Sequence, residues 1–108
     1  MVAARRFEVF LVALDPTIGS EVQKTRPCLV ISPDEMNIAL RTATVAPLTT
    51  QGRSFSWRVP VHFDGKDGLI LLDQVRSVSE RRMLRNLGPL DAPTSTRVLT
   101  VLAEMFAP

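Results

Sequence analysis

The sequence predicts a mainly β, α+β fold: a small antiparallel β-barrel-like sheet carrying one carboxy-terminal helix, in one domain spanning 1–108. Two observations predict it. Short runs of β-branched and aromatic residues recur between turn residues, and in the last segment apolar residues recur at helical spacing. The helical stripe is the clearest periodicity in the chain, which argues against an all-β sandwich. With 108 residues the chain can bury one core but not two.

The first strand is expected at 7–14, F-E-V-F-L-V-A-L, closed by the Asp15-Pro16 turn. Its two alternating sets, Phe7 with Val9 and Leu11, and Phe10 with Val12 and Leu14, are both apolar, so the strand should be covered on both faces. A polar loop follows in which Asp15-Pro16 and Gly19 are turn signals and Glu21, Lys24 and Arg26 carry charge. The second strand is expected at 27–32, with Pro27 at its start, where a missing amide is tolerated. Ser32-Pro33-Asp34-Glu35 reads as a turn with one helical turn through Asn37.

Residues 42–48 form the third strand, with Pro47 near its end, and lead into the polar loop Thr49-Thr50-Gln51-Gly52-Arg53. In 56–63, Trp57, Val59, Val61 and Phe63 alternate with Arg58, Pro60 and His62, and Pro60 marks an edge strand or a bulge. Asp64-Gly65-Lys66-Asp67-Gly68 is read as a turn before the apolar run 69–72, at whose end stand Asp73, Gln74 and Arg76. Polar groups grafted onto the end of a buried strand are candidates for a site. A short helical turn at 79–84 and a last strand at 85–90 precede the helix. Asp91 should cap that helix, with Pro93 in its first turn and Val98, Leu102, Met105 and Phe106 on its apolar face, widened by Leu99.

Composition excludes several function classes. A net charge of +2 fits a polyanionic partner and an ordinary slightly basic protein equally well. Cys28 is the single cysteine, so an intrachain disulfide or cysteine-rich zinc site cannot form. Its place in Cys28-Leu29-Val30-Ile31 suits a small buried hydrophobe. His62 has no second histidine to join it, and no metal or cofactor is expected. No phosphate-binding glycine loop or nucleophile elbow occurs, no run reaches membrane-spanning length, and the start lacks the apolar core of a signal peptide. A cytoplasmic protein without a membrane partner is therefore expected.

Three polar clusters remain: Glu21 with Lys24 and Arg26, Thr49 with Thr50, Gln51 and Arg53, and Asp73 with Gln74 and Arg76. Singly, each reads as a solvated loop with an ion pair. Together they supply carboxylates, hydroxyls and guanidinium forks, the groups that can hold and turn over a phosphodiester without a metal.

The segments L-D-P-T-I-G-S-E-V-Q-K-T-R-P at 14–27, V-I-S-P-D-E-M-N at 30–37, V-A-P-L-T-T-Q at 45–51 and L-L-D-Q-V-R-S-V at 71–78 resemble, in order, the MazF/PemK-type toxins of bacterial toxin-antitoxin modules. That resemblance implies an SH3-like barrel with a carboxy-terminal helix, the PemK/CcdB-like toxin fold. It implies a sequence-selective endoribonuclease acting on single-stranded RNA, a homodimer, and a cognate acidic antitoxin as partner. Carried onto this sequence, it implies Arg26 and Thr49 as catalytic residues and Glu21 or Asp73 as the proton acceptor. Lys24, Arg53 and Arg76 are then phosphate contacts, and Thr50, Gln51 and Gln74 further RNA contacts. Two departures stand out: Arg6-Phe7-Glu8 where the family carries Arg-Gly-Asp or Arg-Gly-Glu, and Val22-Gln23-Lys24 in place of a Gln-Gly stretch. The competing readings are a non-catalytic toxin of the same fold that poisons a protein such as DNA gyrase, and an inactive relative that keeps the dimer and antitoxin binding.

Overall fold

The apolar run that opens the chain becomes strand β1 (Glu8–Ala13), and its alternation sends Val9 into one core and Phe10 and Val12 into another. The computed structural model describes residues 3–14 and 24–108. After β1 come β2 (Thr25–Val30), α1 (Asp34–Leu40), β3 (Thr42–Thr49), β4 (Arg58–Phe63), β5 (Lys66–Leu71), β6 (Arg76–Ser79), β7 (Met83–Pro89) and α2 (Ala92–Met105). Leu72–Gln74 and Glu80–Arg82 are single 3-10 turns. The strands form one antiparallel sheet in the order β4-β5-β3-β2-β1-β7, with β6 also on β3.

Both faces of this sheet are covered, as the apolar alternation of β1 requires. On one face Val9, Leu29, Leu48, Val61 and Ile70 meet Val98 and Val101 of α2. On the other, Phe10, Val12, Cys28, Val30, Val45 and Val78 close on one another, as strands of a coiled, barrel-like sheet do. Burying each of these Val or Leu side chains contributes about 1.5–3 kcal/mol.

β3 holds the sheet together because three strands use it. Val30 pairs with Val45 on one edge; on the other, β6 pairs from Thr42 to Val45 and β5 pairs at Leu48 and Thr49. Only Ala46 and Pro47 separate those two ladders on β3, whereas residues 71–75 separate them on the opposing chain. The surplus is thrown outward as the Leu72–Gln74 turn, which carries Asp73 out of the sheet.

Several expectations need correction. β2 begins at Thr25, so Pro27 lies inside the strand, facing Leu11 of β1, and Arg26 belongs to the ladder rather than to the preceding loop. The helical turn after Pro33 extends to Leu40, closing on Arg41 at φ 57°. Most of the expected 64–68 turn is strand: only Asp64 and Gly65 turn, both at positive φ, and Phe63 pairs with Lys66. On α2 the buried stripe is Ser95, Val98 and Val101, while Leu99 and Phe106 are exposed. The Asp91 cap stands as expected, its carboxylate accepting from Thr94 N–H at 2.9 Å. β4 is an edge strand, as Pro60 requires. The turn signals Asp15, Pro16 and Gly19 lie outside the described residues.

Phe7 adopts φ 70°, the left-handed region that favours glycine, where the resembled family carries glycine. Its amide and carbonyl are both held, to Val30 O and from Leu90 N–H at 2.8 Å each, and its ring packs against the α2 core. These contacts offset the backbone strain.

A small buried polar cluster ties the amino-terminal segment to the sheet. Asn37 donates through Nδ2 to Ala4 O at 2.9 Å and Ser32 O at 3.2 Å, and accepts from Ser32 Oγ, which also takes Thr44 N–H at 2.9 Å. Asn37→Ala leaves these buried groups short of partners, and stability should fall by about 1–3 kcal/mol. The check is a lower urea midpoint at unchanged denaturant slope.

Candidate active site

Arg26 and Thr49 are brought together by strand register. β2 pairs with β3 down to Cys28 opposite Pro47, and the same register continued sets Pro27 across from Leu48 and Arg26 across from Thr49. At that point β3 turns to β5 instead, with Leu48 opposite Ile70 and Thr49 opposite Leu69. Between the diverging strands lies a cleft of about 200 Å³ lined by both Arg26 and Thr49. Its floor is apolar, from Pro27, Leu48, Val61 and Leu87.

The Thr49 hydroxyl accepts Gln51 N–H at 3.1 Å, so one lone pair is occupied and its own proton remains available to donate. The backbone of Thr49 is fixed from the other side by Gly68. A Cβ on Gly68 would lie 2.4 Å from Thr49 O, a distance no side chain tolerates, so only glycine lets β5 approach this closely.

The far wall of the cleft is the β4–β5 hairpin, which presents Phe63, Asp64, Lys66 and Asp67. Sequence reasoning missed these residues because D-G-K-D-G signals only a turn. The signal that could have found them is the two-residue type of the turn, since Asp64-Gly65 at its tip sets Phe63 beside Lys66 and returns Gly68 toward β3. His62 Nδ1 lies 2.7 Å from Asp67 Oδ1 on the exposed side of this hairpin.

The other expected site residues divide. Thr50 lines the cleft beside Arg26 and Thr49. Lys24, Gln51 and Arg53 are exposed, Gln74 is half-buried, and Glu21 lies outside the described residues. Asp73 is engaged: Arg58 donates Nε–H to Oδ1 at 3.0 Å and Nη2–H to Oδ2 at 2.9 Å, a bidentate fork that no sequence spacing announced. Those hydrogen bonds hold the Asp73 carboxyl below the usual carboxylate range, against a weaker opposing effect of desolvation. Arg76 donates to Leu14 O at 3.1 Å and Arg82 to Ala13 O at 3.1 Å, so these guanidinium groups fix the end of β1. Burial pushes the Cys28 thiol up to about 12, with Arg76 and Arg26 opposing, so it is a neutral core group and not a nucleophile. Among the described residues, no cluster of histidine, cysteine, aspartate or glutamate gathers for a metal, and no helix is long and apolar enough to cross a membrane.

Comparison with known proteins bears on the family and the fold. The family model described as PemK-like, MazF-like toxin of type II toxin-antitoxin system matches residues 5–106. Endoribonuclease EndoA of Bacillus subtilis is 34% identical over 93 residues, covering 81% of this chain and 80% of that protein. Among solved structures, MazF from Deinococcus radiodurans superposes with a TM-score of 0.85 at 23% identity, covering 97% of each chain. A mycobacterial endoribonuclease in complex with its cognate antitoxin superposes with a TM-score of 0.82 at 20% identity, covering 98% of each.

Two outcomes follow from this geometry. Gly68→Ala must displace the Thr49 carbonyl, and RNA cleavage should fall by about 10²-fold while circular dichroism still reports a folded sheet. For the Arg58–Asp73 pair the sign is set by the lowered Asp73 value: its contribution is present above the unfolded carboxylate range and lost as pH falls through the folded value. Because Asp73 is partly exposed, that contribution is about 0.2–1 kcal/mol. Urea midpoints of the parent and Asp73→Asn should therefore differ at neutral pH and converge under strongly acidic conditions.

Proposed function

We propose that this chain, which belongs to the PemK-like, MazF-like family of type II toxin-antitoxin toxins, is an endoribonuclease toxin that cleaves single-stranded RNA at the cleft between Arg26 and Thr49. One observation carries the reading: a guanidinium and a hydroxyl from different strands line one cleft large enough for a nucleotide fragment. The Bacillus subtilis relative, an endoribonuclease by name, supports the reaction class.

In the proposed reaction the ribose 2′-oxygen attacks the adjacent phosphorus while its proton passes to a base. The bond from phosphorus to the 5′-oxygen breaks and that oxygen takes up a proton, leaving a 2′,3′-cyclic phosphate and a 5′-hydroxyl. Charge builds on the non-bridging oxygens of the phosphorane. Arg26 meets that charge with a planar fork of N–H donors, and Thr49 donates its free O–H to the same oxygens. Guanidinium surrenders its proton poorly, so Arg26 stabilises charge and assists the leaving oxygen only indirectly.

Of the two candidate proton acceptors, Asp73 has both carboxylate oxygens on Arg58 and a lowered proton affinity, which weakens it as a base. The proposal therefore assigns proton acceptance to Glu21 and gives Asp73 the role of holding Arg58. Lys24, Arg53 and Lys66 supply cations for the flanking phosphates, while Thr50, Gln51 and Gln74 are placed in the proposal at base edges. Arg76, which donates to Leu14 O, orders the end of β1. The protein acts in the cytoplasm as a homodimer, and its antitoxin is an acidic segment that competes with RNA for Arg26, Lys66 and the neighbouring cations. The mycobacterial endoribonuclease found with its cognate antitoxin supports such a partner.

The test is incubation with mixed RNA in EDTA, with mapping of new 5′ ends. The parent should cleave at a defined short sequence, leaving 5′-hydroxyl ends. Arg26→Ala should lower kcat by about 10²–10³-fold and Thr49→Ala by about 10²-fold. Cleavage that Arg26→Ala leaves intact, or that requires added metal, defeats the proposal. The acid limb of the kcat/KM profile should be retained by Asp73→Asn and lost in Glu21→Gln.

A further inference from the structure

The loop between β3 and β4 holds a layered aromatic arrangement that the cleft chemistry does not use. Phe55 and Trp57 stack with ring centroids 4.8 Å apart and planes only 5° from parallel. The guanidinium carbons of Arg53 and Arg58 lie 5.2 Å and 5.0 Å from the Phe55 centroid. Arg58 cannot drift, because Nη1 also donates to Arg53 O at 3.1 Å while Asp73 grips Nε and Nη2. The contacts thus form a chain: Asp73 holds Arg58, Arg58 lies against Phe55, and Phe55 stacks on Trp57.

Trp57 does not behave as a core residue. It stands in the turn just before β4, whose Val59 and Val61 are buried, yet it remains 39% exposed. Phe55 stacks on its ring, and a substantial part of the residue still remains open to solvent. The arrangement also adjoins the catalytic cleft. A Cβ built on Gly52 would lie 3.5 Å from Arg58 Nη1 and 3.8 Å from Thr49 Cγ2, so the guanidinium under the stack and the Thr49 side chain flank the same glycine.

We infer that Trp57, backed by Phe55 and the Arg53 and Arg58 guanidinium groups, is a base-stacking subsite for a nucleotide next to the scissile phosphate, with Asp73 as its positioning residue. This rests on the ribonuclease reading. An exposed aromatic face takes any nucleobase by its π-surface, and adjacent guanidinium groups attract the backbone that carries it. A rigid backing ring keeps the outer face in place before RNA arrives, so little ordering remains to be done on binding. The subsite accounts for the bidentate Arg58–Asp73 fork: it fixes a binding surface beside the reacting atoms and does not move the proton.

Trp57 is the only tryptophan in the chain, so its emission reports on the subsite directly. The full chain is titrated with a random-sequence, 2′-O-methylated single-stranded RNA pool, which cannot be cleaved. The titration is repeated with the mapped cleavage sequence carrying an abasic site at each position in turn. Emission should be quenched by the pool, and one abasic position next to the scissile bond should abolish the quenching. Trp57→Ala should raise KM about tenfold with kcat within about twofold of the parent, and Trp57→Phe should restore most of the loss. Asp73→Asn should raise KM in the same direction and weaken the dependence of the quenching on the abasic position. If Trp57→Ala does not fold, the emission titration of the parent and the KM of Trp57→Phe decide the matter.

An active enzyme whose emission is unmoved by RNA, or whose KM is unchanged in Trp57→Ala, overturns the subsite and leaves the ribonuclease assignment standing. A parent that cleaves no RNA, yet is quenched by the pool, overturns the ribonuclease assignment and keeps the stacking surface.

Discussion

The close passage of Gly68 against the carbonyl of Thr49 is the constraint on which the site depends. It lets β5 take the end of β3 just where β2 lets it go, so the two strands bearing Arg26 and Thr49 separate by the width of a cleft and no more. A side chain at Gly68 would lift the hairpin from β3, taking Phe63 and Lys66 with it and releasing Thr49. The cleft is thus a by-product of how one strand is shared among neighbours. Its depth is set by Leu48 and Val61, which belong to the core packed beneath α2. Packing density in that core is transmitted to the position of a hydroxyl.

Arginine does much of the remaining positioning, through fixed forks to oxygen. Arg6 Nε donates to Ile31 O at 2.9 Å, Arg76 to Leu14 O and Arg82 to Ala13 O, each from a distant part of the chain. The last two converge on the end of β1, so that strand stays defined up to Leu14. Arg58 repeats the device with a carboxylate as acceptor. By contrast, the Arg41–Glu80 pair sits on an exposed surface, where solvent screens the attraction and side-chain ordering costs most of it. A basic chain of this size can therefore hold much of its positive charge in structural service and still present cations to RNA.

What could be read from the sequence follows the range of the forces involved. The Asp91 cap, the edge character of Pro60 and the double-sided burial of β1 are local or periodic, and each was legible from a few neighbouring residues. Arg26 and Thr49 were nameable as candidates through the resemblance, but their opposition depends on register between strands that no local signal fixes. Lys66 and Phe63 were hidden for a different reason: D-G-K-D-G was read as turn throughout, whereas only Asp64-Gly65 turns. Pro27 misled because proline is read as a strand start, whereas here only its β1 side carries a ladder. Asp73 was legible as a polar group at a strand end, while its partner Arg58, which the strand alternation set on the outer face, was not. On α2 Val98, Leu102 and Met105 pack on the core as the stripe predicts, whereas Val101, which it did not include, is buried and Leu99 and Phe106 are exposed.

The two halves of the site are held by different forces, which has a consequence for how such an enzyme can change. Arg26 and Thr49 sit on strands whose places are fixed by two buried cores, so altering their geometry means disturbing many contacts at once. Phe55 and Trp57 sit on a loop held by the Arg58–Asp73 fork, by Arg58 Nη1 on Arg53 O and by the Arg58 amide on Phe55 O, outside either core. On the proposed assignments, substitutions there alter what the surface accepts while leaving the reacting groups in register. Base preference can then drift at small cost in stability, whereas the proposed phosphoryl chemistry stays tied to the register of β2 and β3. A single sheet thereby separates the part of recognition that must vary between RNA targets from the part that every phosphodiester requires.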